Sequence, residues 1–195
     1  LRKGRLVVFS APSGAGKSTL IQAAMKAYPQ LRYSVSATSR PPRPGVIDGV
    51  HYHFQTREAF QAMILDEELA EWNEVHGNIY GTPRPFLEAC TARGEHVLLD
   101  LDVFGKRRFD ATYPDNLGIL VLPPSLEELE RRLRGRGTES EDKIRLRLKN
   151  ARDELDEAER GRFEYRIIND DIARSTRELL GILERELDLG KTSIL

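Results

Sequence analysis

The sequence has one cysteine, one tryptophan and two methionines in 195 residues, and no apolar run long enough to span a bilayer. The single cysteine, Cys90, excludes an intrachain disulfide, and its setting in LEACTAR reads as a small buried residue of a helix. An excess of one charge sign is missing too. There are 30 basic and 31 acidic residues, a net charge of -1, so no general electrostatic case exists for nucleic acid or an anionic membrane. No signal peptide is visible, and there are no internal repeats or low-complexity segments. The expectation left is one domain with a real core in a reducing, cytoplasmic compartment.

What is present begins at Arg5–Leu20, RLVVFSAPSGAGKSTL. An apolar run of buried-strand type, Leu6 to Phe9, passes into a small, glycine-bearing turn, and a helical pattern starts at Lys17. Strand, glycine loop and helix in that order make a phosphate cradle, because loop N–H groups and the helix N-terminus converge on one anion. Ser13, Gly14, Ala15, Gly16, Lys17, Ser18 and Thr19 are the expected triphosphate contacts. Lys17 would reach the β/γ-phosphates and the Ser18 hydroxyl would ligate Mg²⁺. Ala11 stands where the strict G-x-x-x-x-G-K-[ST] pattern has glycine.

Further along, RYSVSA (32–37) alternates like one strand and runs into SRPPRPG, whose prolines forbid helix and stiffen an extended loop. VHYHF (50–54) is strand-like, and Thr56 opens a helix through Phe60, Met63 and Ile64. LAEWNEVHGNIYG (69–81) reads as a hairpin turning at Gly77-Asn78, and Thr82-Pro83 as a cap and first-turn proline of the next helix. HVLLDLD (96–102) and LGILVL (117–122) read as buried parallel strands, with YRIIN (165–169) as the last one. Ser125 with Glu128, and Thr138 with Glu141, match capping boxes. Basic residues cluster at 40–43, 106–108 and 131–136, which fits local anion sites better than a polyanion track. Strands separated by helices argue a parallel α/β sheet, and 34–80 breaks that rhythm as an inserted subdomain.

These motifs, in this order, resemble guanylate kinases from end to end: VFSAPSGAGKSTL, SVSATSRPPRPG, HYHF, EVHGNIYGT, LLDLD, LPPS, RLRGRGTESE and IIND. The resemblance implies an α/β fold in which a P-loop parallel-sheet core, flanked by helices, carries an inserted GMP-binding subdomain and a helical lid. The approximate division is core 1–33, 83–125 and 160–195, GMP-binding subdomain 34–82, and lid 126–159. The implied reaction is transfer of the γ-phosphoryl of ATP, with Mg²⁺, to GMP, giving ADP and GDP within purine nucleotide metabolism. ATP and GMP, with dGMP as a further acceptor, are the implied partners. No tightly bound organic cofactor, nucleic acid or membrane is expected; oligomeric state is left open.

The resemblance also assigns residues. Arg40 and Arg43 would hold the GMP phosphate, helped by the Tyr52 and Tyr80 hydroxyls; alone, the arginines could be a solvated basic loop and the tyrosines core packing. Glu71 and Asp102 would face guanine N1 and N2, with Ser36 and Thr82 near O6 and N7. Asp100 would hold Mg²⁺ through water or orient Arg40, or else cap nearby backbone. In the lid, Arg132, Arg136 and Arg147 would meet the ATP phosphates and the transferring group. Arg131, Arg134 and Arg145 have no matched role and fit surface salt bridges. Asn169 falls in the adenine-side region. Two positions depart from the family habit: Ile79 for a tyrosine, and Phe104 for a glutamine. Rival readings are a GTPase, a kinase of the same fold with another acceptor, and a non-catalytic binding module. His51 and His53 share a strand face without a third ligand, so a surface role is favoured.

Overall fold

The computed structural model describes residues 3–75, 77–135 and 140–189. The first half of the chain contains β1 (Leu6–Ser10), α1 (Lys17–Ala27), β2 (Arg32–Tyr33), β3 (Ala37–Thr38), β4 (His53–Phe54), α2 (Arg57–Leu65), β5 (Leu69–Val75) and β6 (Asn78–Pro83). The second half adds α3 (Arg84–Ala92), β7 (Val97–Asp100), α4 (Val103–Thr112), β8 (Leu117–Leu122) and α5 (Leu126–Gly135). It then closes with α6 (Glu141–Arg160), β9 (Tyr165–Ile168) and α7 (Ile172–Leu187).

The apolar runs of β1, β7 and β8 are buried on both faces, as a parallel sheet covered by helices demands. They form an all-parallel sheet of order β2-β7-β1-β8-β9. One face packs Val7, Phe9, Ile119 and Ile167 against Leu20 of α1 and Leu179 and Leu183 of α7. The other packs Val8, Leu99 and Leu101 against Leu87 and Cys90 of α3 and Phe109 of α4. Cys90 is fully buried, and burial pushes its thiol up. Register sets Phe9 beside Asp100, so the carboxylate lies next to the glycine loop that follows β1. The C-terminal strand ends gather the chemistry.

A second sheet, β4-β3-β6-β5, has its own small core of Ala37, Phe60, Leu69 and Ile79. It corrects three sequence expectations. The alternating 32–37 run is divided: Arg32–Tyr33 pairs with β7, whereas Ala37–Thr38 pairs with β4 and β6. Alternation survives the change of sheet, so the pattern could not mark it. Only His53 and Phe54 of the 50–54 stretch are strand, because His51 Nδ1 accepts from Ile47 N at 3.0 Å and closes a turn. Thr82 is not a helix cap. It lies in β6 opposite Glu71 of β5, Pro83 takes the cap position, and Pro85 stands in the first turn of α3.

The Thr56 cap is present, its hydroxyl accepting from Ala59 N at 3.1 Å, as is the Ser125 arm toward Glu128 N at 3.1 Å. Glu128 turns instead to Arg131 and Arg132, so the reciprocal arm of that box is not made. Thr138 lies outside the described residues. Among the described residues, no helix is long and apolar enough to cross a membrane.

Candidate active site

Helix α1 is capped by Gly16 at φ 93, with Gly14 at φ 91 two residues before, so the loop alternates through left-handed backbone that only glycine adopts without strain. A Cβ at Gly16 would lie 2.3 Å from Asn169 Nδ2. That amide donates to the Ala15 carbonyl at 2.8 Å from a buried side chain. Asn169 thus supports the loop from beneath and is not among the residues lining its cavity. Ala11 is buried, and the curl forms with its methyl group in the core.

The loop, Ser18, Thr19, Asp100, Asp102 and Glu154 line a cavity of ≈420 Å³. Lys17 Nζ ion-pairs with Asp100 Oδ1 and donates to the Leu101 carbonyl at 3.1 Å. This double hold fixes the ammonium at the end of β7. Ser18 and Asp100 both line this cavity and carry hard oxygen donors of the kind that Mg²⁺ accepts together with phosphate oxygens and water.

A second cavity of ≈440 Å³ shares Lys17, Asp100 and Asp102 with the first, and extends over Ser36, Arg40, Arg43, Tyr52, Glu71, Tyr80 and Arg108. Thr82 is buried behind it. The Arg40 guanidinium stacks over Tyr52 at 5.3 Å, and Tyr52 meets Tyr80 edge-on at 6.1 Å. Burial, first of all, raises the Tyr52 phenol, so it remains a donor at neutral pH. Arg40 Nε is buried without a hydrogen-bond partner among the described residues, an N–H in want of an acceptor.

Glu71 is the most perturbed carboxyl here. Its side chain is 7% exposed, Oε1 accepts from the Thr82 hydroxyl at 2.7 Å, and burial pushes its pKa up to about 7. The Thr82 bond and the Arg108 charge pull against that rise, while Asp102 adds to it. Asp102 is exposed and caps α4, accepting from Gly105 N at 2.6 Å.

The lid expectations fare unevenly. Arg147 reaches Ser13 Oγ at 3.4 Å, on the loop. Arg132 is held by Glu128 at 2.9 Å and the Asn169 carbonyl at 2.8 Å. Arg136 lies outside the described residues. Arg131, Arg134 and Arg145 form surface ion pairs with Glu128, Glu130 and Glu141, as expected of residues without a matched role.

Sequence reasoning missed Glu154, whose Oε2 accepts from Ser13 N at 3.0 Å and whose carboxyl is raised by burial. It sits on α6, a helix so heavily charged that one more acid gives no hint of a loop contact. Arg108 was missed as an individual. The 106–108 cluster is no anion site: Lys106 pairs with Asp110 at 2.5 Å, Arg107 with Glu157 at 3.0 Å, and Arg108 faces Glu71 at 4.0 Å. Its three partners come from three elements. His51 and His53 are both exposed, in line with a surface role.

Comparison with known proteins matches this arrangement. The guanylate kinase family model covers residues 3–186. A guanylate kinase of Rubrobacter xylanophilus is 48% identical over 95% of this chain and 96% of its own length. One from Synechocystis sp. is 45% identical over 94% of this chain and 95% of its own. The crystal structure of guanylate kinase from Anaplasma phagocytophilum superposes with a TM-score of 0.74 at 32% identity, covering 98% of this chain and 89% of that one. With a glycine loop and a carboxylate-lined pocket meeting at one lysine, and a family model spanning nearly every residue, the chain belongs to the guanylate kinase family.

Proposed function

We propose that the protein transfers the γ-phosphoryl group of ATP to GMP, with Mg²⁺, giving ADP and GDP. The observation that carries this is the junction of two cavities at Lys17, Asp100 and Asp102, one walled by the glycine loop and the other by Arg40, Arg43, Tyr52, Glu71 and Tyr80. Phosphoryl transfer asks for alignment and charge cancellation more than covalent work. A GMP phosphate oxygen attacks the γ-phosphorus, the bond to the β,γ-bridging oxygen breaks, and its electron pair leaves with ADP.

The loop N–H groups from Ser13 to Thr19 receive the triphosphate, and Lys17, already placed between the cavities, meets the charge that develops there. Ser18, with Asp100 through water, would hold Mg²⁺, which draws charge from the phosphate oxygens when bound. Arg40, Arg43, Tyr52 and Tyr80 take the acceptor phosphate. Glu71 and Asp102 accept from guanine N1–H and N2–H₂, while Ser36 and Thr82 serve the O6 and N7 edge. Thr82 already spends its proton on Glu71, so it acts as a positioning residue as much as a donor. Arg132, Arg136 and Arg147 form the lid's cationic side, with closure excluding water. Asn169 shapes the loop.

The reading places the enzyme in cytoplasmic purine nucleotide metabolism, supported by the substrates it implies and by one unpaired, buried cysteine. The test is coupled ADP release with ATP·Mg²⁺ and each of GMP, dGMP, AMP, UMP and CMP. GMP leads, dGMP follows, and negligible turnover with GMP overturns the reading.

A further inference from the structure

Helix α4 packs on β5 with Gly105 at the contact: a Cβ there would lie 3.3 Å from Asp102 Oδ1 and 3.5 Å from Glu71 Oε2. Arg108 stands one turn further along the same helix, so its guanidinium comes over the buried carboxylate. Arg108 Nε lies 4.0 Å from Glu71 Oε2, and it is buried without a hydrogen-bond partner among the described residues. That separation is too long for a hydrogen bond, and with Glu71 buried and the Arg108 side chain 38% exposed the charges still interact, partly screened by solvent.

The gap has a chemical use. A direct fork between arginine and carboxylate occupies both oxygens and leaves a base edge nothing to bind. Here Oε1 is taken by the Thr82 hydroxyl at 2.7 Å, and no hydrogen bond from Arg108 occupies Oε2, its positive charge standing 4.0 Å away. Among the described residues, the groups acting on Glu71 are Arg108 from α4, which favours its charge, and Asp102 at the head of that helix, which opposes it. From β6 comes the uncharged Thr82 hydroxyl. Arg108 is the only cation in that set.

We propose that Arg108 is a positioning residue for acceptor recognition: across a 4.0 Å gap it favours the anionic, hydrogen-bond-accepting form of Glu71, so that the guanine N1–H and N2–H₂ donors find an open carboxylate oxygen. A neutral Glu71 presents a proton to a donor edge, which is a mismatch. The inference rests on Glu71 being the base reader.

The experiment is the pH profile of kcat/KM for GMP, from pH 6 to 8.5, with saturating ATP·Mg²⁺. In the wild type, activity rises with pH as Glu71 ionises, around about 7. Arg108→Gln moves that acid limb upward by about one unit, raising KM for GMP about fivefold at pH 7 and less than about 1.5-fold at pH 8.5, with kcat held within about twofold. Arg108→Lys restores most of the profile. A KM rise equal at both ends of the range shows a merely structural role and overturns the proposal, as does an unmoved limb. Thermal melting checks each variant. Should the Gln variant fold poorly, Arg108→Met keeps the apolar stem without the charge and is read in the same way. Failure of the underlying reading looks different: Glu71→Ala then leaves selectivity for GMP over AMP untouched. If that selectivity collapses while the Arg108 profiles coincide with wild type, only the role of Arg108 is lost.

Discussion

On the proposed function, the donor and acceptor halves of this enzyme recognise anionic ligands by different materials. The donor half is mainly backbone: N–H groups of a glycine loop, aimed by two left-handed residues and the start of α1. The acceptor half is mainly side chains from β5, β6 and the Arg40–Arg43 loop, carried on a sheet whose core is only Ala37, Phe60, Leu69 and Ile79. A backbone site depends on the φ angles that shape it, and away from Lys17 and Ser18 it tolerates a change such as Ala11 at a glycine position of the strict pattern. A side-chain site has chemical selectivity but must hold charges in a half-dry pocket. Glu71, raised to about 7 by burial, carries the cost of that arrangement.

The comparison can be broken first at the residue common to both halves. Lys17→Ala should lower kcat about 10³-fold while the melting temperature stays within a few degrees, since its side chain contacts only Asp100 and the Leu101 carbonyl among described partners. Turnover near wild type would remove Lys17 from the reaction. Glu71→Ala should next cut the preference for GMP over AMP by about 10²-fold, with the ATP KM unchanged. A change shared between the two ligands would mean that the halves are not chemically separate. Gly16→Ala supplies the converse. The methyl must displace Asn169 and tolerate φ 93, so the ATP KM should rise about tenfold while selectivity among acceptors persists.

The smallest effect concerns stability. A carboxyl whose folded pKa exceeds its unfolded value binds more protons when folded between about pH 4.5 and about 7, so its contribution is present at low pH and lost as pH rises through 7. Glu71→Gln keeps an acceptor for Thr82 without the buried charge. At pH 8 it should stabilise the free enzyme by about 2 kcal/mol, roughly 5 °C in Tm, with little gain at pH 5. Equal gains at both pH values would show that packing, rather than charge, was relieved.

The two halves also differed in how well the sequence displayed them. The loop was legible because its determinants are contiguous: an apolar strand, two glycines and a helix start. The helix at Thr56 and the hairpin at 69–81 were legible for the same reason. Thr82 was misread because Thr-Pro carries a helix-start signature locally, whereas its actual partner, Glu71, lies across a hairpin. Residues 106–108 looked like one basic patch because neighbours on a helix point to different sides, where one carboxylate of the same helix and two from distant segments divide them. Glu154 was silent since an acidic residue on a charged helix is ordinary until the helix docks on a loop. Ile79 departs from the family habit for a core reason, being buried beside Phe60, while Phe104 is half exposed and nothing in the structure explains it.

The amide of Asn169 reaches back across 154 positions to hold the carbonyl of Ala15. On a ribosome the glycine loop emerges 154 positions ahead of the strand end that braces it. A nascent chain therefore carries the whole signature of a triphosphate site long before it possesses the site. The loop gains this brace once β9 has joined the sheet, so ligand binding at the loop would report on the docking of a strand far from it in sequence.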